Sequence, residues 1–188
     1  MRLTTRTATY IKIKISNIVK EYNLTYPIDP FILCEKMGYV LVKYSDLSPE
    51  VIEKYKNKNK NGFKIEDSDG TIYIIYNDIK DIRIIKFTIL HEIGHIVLGH
   101  LEESELAETQ ANFFAGFLLA PPVIIIYLNI CDDINKISKV FGITYSCADS
   151  SNNRANSRKK YGPDYLEDYE QIFMDLAKGV IIWLYLKH

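Results

Sequence analysis

The chain has 188 residues, 47% of them hydrophobic and 25% charged, with a formal net charge of -1. That is the size of one domain, with an ordinary globular composition able to bury a core, and its near-neutral charge supplies no global field to recruit nucleic acid or an anionic membrane. Three widely spaced cysteines, Cys34, Cys131 and Cys147, indicate neither a disulfide framework nor a thiolate zinc site.

Residues Ala8 to Tyr22 carry helical spacing, with Ile11, Ile15, Ile18 and Val19 on one face. Pro27-Ile28-Asp29-Pro30 breaks the chain, and Asp29 then caps a short helix that starts at Pro30 and ends at Gly38. Tyr39 to Tyr44 is β-rich and is the expected first strand. Ser48 to Lys60 starts as a helical turn and becomes a run of alternating Lys and Asn. With no aromatic interleaving beyond Tyr55, that run reads as a solvated loop rather than a nucleic-acid contact. Phe63 to Glu66 and Thr71 to Tyr76 read as two strands joined through Asp67-Ser68-Asp69-Gly70, a hairpin signal. Asp81 caps a long helix predicted to reach about Leu101. A second helix is predicted from Ser104 to Leu119, stopping before Pro121-Pro122.

Ile124 to Leu128 and Asp132 to Phe141 read as short helices. Arg154, Arg158, Lys159 and Lys160, within Asn152 to Tyr161, read as a solvated helix end. Asp164 to His188 reads as one amphipathic helix, packed on the domain by default. The apolar runs Leu118 to Ile130 and Gly179 to Leu186 fall short of the roughly 20 residues a membrane span needs. The polar start Met1-Arg2-Leu3-Thr4-Thr5-Arg6 lacks the apolar core of a signal peptide, which adds the expectation of a reducing, cytoplasmic setting.

The densest chemistry lies in His91-Glu92-Ile93-Gly94-His95. On a helix, residues i and i+4 share a face, so both imidazoles can reach one metal ion. Glu92 projects from the next position round the turn, close to the metal but off the ligand row. Two neutral imidazole ligands and an adjacent general base are what a zinc hydrolase needs. Three ionisable groups in the otherwise apolar run Phe87 to Leu98 would be costly to bury unpartnered, and a metal supplies the partner.

A catalytic zinc usually takes three protein ligands. His100 lies five residues past His95, which rotates it off the ligand face; it reads as a helix-end histidine or an outer-shell group. Of Glu102, Glu103, Glu105 and Glu108, the first two fall in the turn. Glu108 is favoured because its face continues through Ala111, Asn112, Ala115 and Leu119, mostly small residues that permit close helix approach. Asn112, one turn on, can accept a hydrogen bond from the free N–H of a ligating imidazole. Glu105 remains the weaker alternative.

Phe87-Thr-Ile-Leu-His-Glu-Ile-Gly-His95, followed by Glu108-Thr-Gln-Ala-Asn-Phe-Phe-Ala-Gly-Phe-Leu-Leu-Ala-Pro121, resembles the ImmA/IrrE metallopeptidases. Leu90 stands where that family usually has alanine, and Ala120 where it has methionine; neither touches a proposed ligand. The resemblance covers about Ile11 to Cys147. It implies zinc held by His91, His95 and Glu108, with Glu92 as general base. It also implies a zincin-like α+β fold, in which a small, mostly antiparallel sheet packs against a helical core. On this reading residues 1–148 form the metallopeptidase domain and 149–188 a C-terminal helical extension. Proteins similar to this chain cleave a helix-turn-helix transcriptional repressor and derepress genes, often those of mobile elements or stress regulons. The repressor is known through the resemblance alone.

In zinc peptidases a strand beside the active helix aligns an extended substrate, and Thr71 to Tyr76 is the expected one. The alternative to a peptidase is a non-catalytic module in which zinc holds the helices and a regulator is sequestered; the intact Glu92 speaks against it. A direct DNA-binding regulator is disfavoured by the neutral charge.

Overall fold

The computed structural model describes residues 3–55, 61–102 and 104–186. The Lys56–Lys60 part of the charge run, Glu103 and His188 lie outside the described residues.

Helix α1 (Thr5–Glu21) is capped by the Thr4 hydroxyl and buries Ile11, Ile15, Ile18 and Val19 along one stripe. Helix α2 (Pro30–Lys36) has Asp29 as its N-cap and Pro30 at its first position, where the missing N–H costs nothing. Strand β1 (Val40–Lys43) follows, then a 3-10 turn at Tyr44–Asp46 and helix α3 (Pro49–Tyr55). Strands β2 (Gly62–Glu66) and β3 (Ile72–Tyr76) form the hairpin expected across Asp67–Gly70.

The sheet order is β1-β3-β2. β2 pairs antiparallel with β3, but β1 pairs parallel with it, Val40 opposite Tyr73 through Lys43 opposite Tyr76. The sheet is therefore mixed rather than mostly antiparallel. The reason is the long connection after β1. Lys43 and Gly62 both face Tyr76, so the chain leaves β1 and enters β2 at the same end of the sheet, on opposite sides of β3. β2 runs back from that end, and β3 returns in the direction of β1.

Helix α4 (Ile82–Val97), capped by Asp81, lies against the sheet and buries Ile85, Ile89, Leu90 and Ile93. It ends four residues before the expected Leu101, because Gly99 adopts φ +70°, a left-handed turn that stops a helix. Helix α5 (Glu105–Leu119) starts from the Ser104 cap and packs along α4. The crossing is close: a Cβ on Gly94 would stand 3.1 Å from the Phe114 ring, so a side chain there would force the helices apart.

Helices α6 (Pro122–Tyr127), α7 (Ile134–Phe141), α8 (Tyr145–Tyr161) and α9 (Asp168–Leu186) complete the chain. α8 packs on α5, α6 and α7, and α9 on α1 and α6. The expected boundary, after residue 148, falls in the first turn of α8. Ala148, Ala155, Phe173 and Ala177 share one buried cluster with Phe114 and Leu118 of α5. Tyr26 joins these parts: its hydroxyl donates to the Leu118 carbonyl at 2.8 Å, and its ring meets Phe141 and Phe173 edge-on.

The expected solvated cluster near the end of α8 is divided. Lys159 and Lys160 are exposed. Arg158 instead pairs with the buried Glu170 of α9 at 2.8 Å, and Arg154 lies partly buried against α5. Pairing across helices, which a charge count along the chain does not register, accounts for Arg158. The stretch Glu105–Tyr127 is long and apolar enough to cross a membrane, which the sequence reading did not anticipate, yet 72% of its apolar window is buried inside the protein.

Candidate metal centre

His91, Glu92 and His95 sit on the buried part of α4, each 6% exposed. The α4–α5 crossing carries Glu108, in the first turn of α5, over both imidazoles. Glu108 Oε2 is 3.4 Å from His91 Nε2 and Glu108 Oε1 is 3.2 Å from His95 Nε2. The two Nε2 atoms are 3.0 Å apart. Atoms held about 2.0–2.1 Å from one tetrahedral centre stand about 3.3–3.4 Å from each other, so these spacings are close to the edges of a zinc coordination shell.

The hydrogen-bond network makes the same point. His91 donates from Nδ1 to Asn112 Oδ1 at 3.0 Å, the contact expected from the sequence. His100 donates from Nε2 to Gln110 Oε1 at 2.7 Å, leaving its Nδ1 to accept from His95 Nδ1 at 3.0 Å. Both ligand-row imidazoles are thereby fixed as Nδ1–H tautomers, and their Nε2 lone pairs converge with the oxygens of Glu108. Four electron-rich atoms facing one point require a cation. A proton is a poor candidate at neutral pH, since burial lowers the pKa of His91 and holds that of His95 down to about 4. His91, His95 and Glu108 together form a group able to hold a metal ion, and two imidazoles with one carboxylate suit zinc.

Of the other candidates, Glu105 and Glu102 are exposed, and Glu102 stands on the rim of the cleft. His100 touches the site through His95, an outer-shell position. Its part in the relay, through Gln110, was not readable from spacing, because Gly99 turns the chain back toward His95. Replacing His100 by Ala is expected to weaken zinc affinity about 10- to 100-fold by freeing the His95 ring. Competition with a chromophoric chelator measures this, and an unchanged affinity would remove His100 from the site.

The depressed histidines carry a pH consequence. Between its ordinary value of 6.5 and about 4, the unfolded chain's imidazole at residue 95 takes up a proton that the folded one refuses. Metal-free protein is therefore expected to lose stability as pH falls through that window. Thermal melting of metal-stripped wild type and His95→Gln at stepped pH checks it. The drop should be smaller in the variant, and equal drops would contradict it.

The cleft over these residues encloses about 300 Å³ and is lined on its far side by Gly62, Phe63 and Lys64 of β2. The expected substrate strand was Thr71 to Tyr76, but β3 is the central strand and both its edges are already paired. β2 is the edge strand that borders the site. Tyr44, after β1, stacks at a tilt against Phe63, with ring centroids 6.0 Å apart. Burial raises its pKa first, and the negative charge of Glu92 raises it further. That phenol near the Glu92 carboxylate is a neighbour the sequence did not single out among fourteen tyrosines.

Residues 37–150 match the M78 peptidase family, described as an IrrE N-terminal-like domain. A search of curated proteins returns no match. The match takes in the sheet, α4, α5 and their His/His/Glu group, and it spans more than half of the chain. The chain belongs to the IrrE N-terminal-like family of M78 peptidases, a metallopeptidase family.

Proposed function

We propose that this chain is a zinc-dependent endopeptidase that cuts a helix-turn-helix transcriptional repressor at a specific bond. The observation that carries the peptidase reading is the convergence of two imidazole lone pairs and a carboxylate beside the buried Glu92. The repressor as substrate rests on the family resemblance, and a cytoplasmic setting accords with it. The arrangement of a metal helix beside a bordering edge strand is consistent with a zincin-like centre.

When bound, zinc at His91, His95 and Glu108 supplies Lewis acidity that lowers the pKa of water towards about 7 and polarises a carbonyl. The remaining work falls to the chain. An extended peptide adds to β2 through main-chain hydrogen bonds, which holds its scissile carbonyl over α4. Glu92 takes a proton from the attacking water and returns it to the leaving amine. Asn112, His100 and Gln110 hold the imidazoles in the tautomer and orientation the site needs.

The test is incubation of the zinc-loaded chain with a purified helix-turn-helix repressor, with products read by intact mass. One discrete cut, abolished by a chelator and restored by zinc, is expected. A repressor that is bound tightly but stays intact would favour a sequestering module instead.

A further inference from the structure

A second cavity, of about 980 Å³, opens between α5 and α8, behind the metal helix. Its volume falls at the upper end of the about 300–1,000 Å³ typical of small-molecule sites. Arg154 contributes the one formal charge among its described lining residues, and no carboxylate joins it. Arg154 lies against the backbone of Gly116 on α5, with its guanidinium 5.9 Å from the Phe113 ring centre. Among the described residues its hydrogen bonding is confined to Nη2, which donates to Ser151 Oγ at 2.8 Å. The buried Nε has no partner among them. An arginine carries five N–H donors in a planar fork, and among the described residues only Nη2 of Arg154 finds an acceptor.

The surrounding chemistry narrows the anion. Thr144, Ser146, Ser150 and Ser157 bring hydroxyls to the α8 side of the cavity. Several donors around one guanidinium suit the three acceptor oxygens of a phosphate better than the two of a carboxylate. Phe87 and Phe113 supply an apolar wall opposite, able to receive a flat group attached to that phosphate. Two residues belong to this cavity and also touch the metal centre. Asn112 accepts from His91, and Phe87 stacks on the same ring with centroids 6.4 Å apart.

We propose that the cavity between α5 and α8 is a binding site for a small phosphate monoester, anchored by Arg154. The cavity takes in none of His91, Glu92, His95 and Glu108, so binding at Arg154 does not depend on the peptidase reading. The experiment is titration calorimetry at constant ionic strength with adenosine 5′-monophosphate, adenosine and inorganic phosphate. Each is titrated into the full chain, both zinc-loaded and after metal stripping. Adenosine monophosphate is expected to bind both forms. Arg154→Gln is expected to weaken that binding at least tenfold. Ser157→Glu, which places a carboxylate three residues along the same helix from Arg154, is expected to weaken it as much while melting no lower than wild type. That variant keeps the test decisive if Arg154→Gln fails to fold.

Inorganic phosphate binding as tightly as the nucleotide, with the same loss in both variants, would support the site and assign it to free phosphate. Adenosine binding as tightly as its monophosphate would overturn the proposal. So would undiminished binding in Ser157→Glu, binding that vanishes when the metal is stripped, or no binding beyond that of matched sodium chloride.

Discussion

Glu92→Gln is expected to lose about 10²- to 10⁴-fold in kcat while keeping its metal and its fold. Glutamine has nearly the same shape and can hydrogen-bond, but it cannot accept a proton from water at neutral pH. A loss of that size corresponds to about 3–5 kcal/mol of barrier. Stability should not fall, since the substitution removes a charge that is 6% exposed in a largely apolar helix. The three checks are peptide turnover, zinc stoichiometry and melting temperature, measured on one preparation. Unchanged turnover would remove Glu92 from the mechanism. Lost zinc would mean that Glu92 itself is a ligand.

The second large effect belongs to Glu108→Ala. Its two oxygens lie 3.2 and 3.4 Å from the two imidazole Nε2 atoms, closing the third corner of the site. Removing it leaves two neutral nitrogens, which bind a divalent ion weakly without an anionic partner. Zinc affinity is expected to fall more than a hundredfold, beyond the about 10- to 100-fold that loss of an outer-shell partner costs. Turnover at limiting zinc should fall with it. Half of the Glu108 side chain surface is near solvent, at 45% exposure, so the fold should survive. A chelator competition assay reads the affinity directly. An affinity within threefold of wild type would send the third-ligand role to another residue.

Much of the site was legible because it depends on local periodicity. The i, i+4 spacing of His91 and His95, the Ser104 cap that starts α5, and the small residues that face α4 all act within a few turns. Asn112 was readable for the same reason, one helical turn past Glu108. Features that rest on distant parts of the chain were not legible. The parallel pairing of β1 depends on a crossover past the end of β3, and the edge position of β2 follows from it. His100 bonds His95 because Gly99 reverses the chain, which an unbroken helical reading cannot foresee.

The start of α8 was missed for a different reason. Tyr145-Ser-Cys-Ala-Asp-Ser-Ser-Asn-Asn is poor in strong helix formers and has no apolar stripe. Its helix is held by packing of Cys147, Ala148, Ser151, Asn152 and Ala155 on its neighbours, with Thr144 as the cap. Arg158 likewise finds Glu170 twelve residues on, across a turn between helices. In both places tertiary contact overrides the local signal.

The most direct test of the central claim is X-ray absorption at the zinc edge of the purified, zinc-loaded chain. One zinc per chain is expected, with two imidazole nitrogens at about 2.0–2.1 Å, carboxylate oxygen at about 2.0–2.2 Å and no sulfur. A sulfur shell at about 2.3 Å, a single imidazole, or no stoichiometric zinc would contradict it.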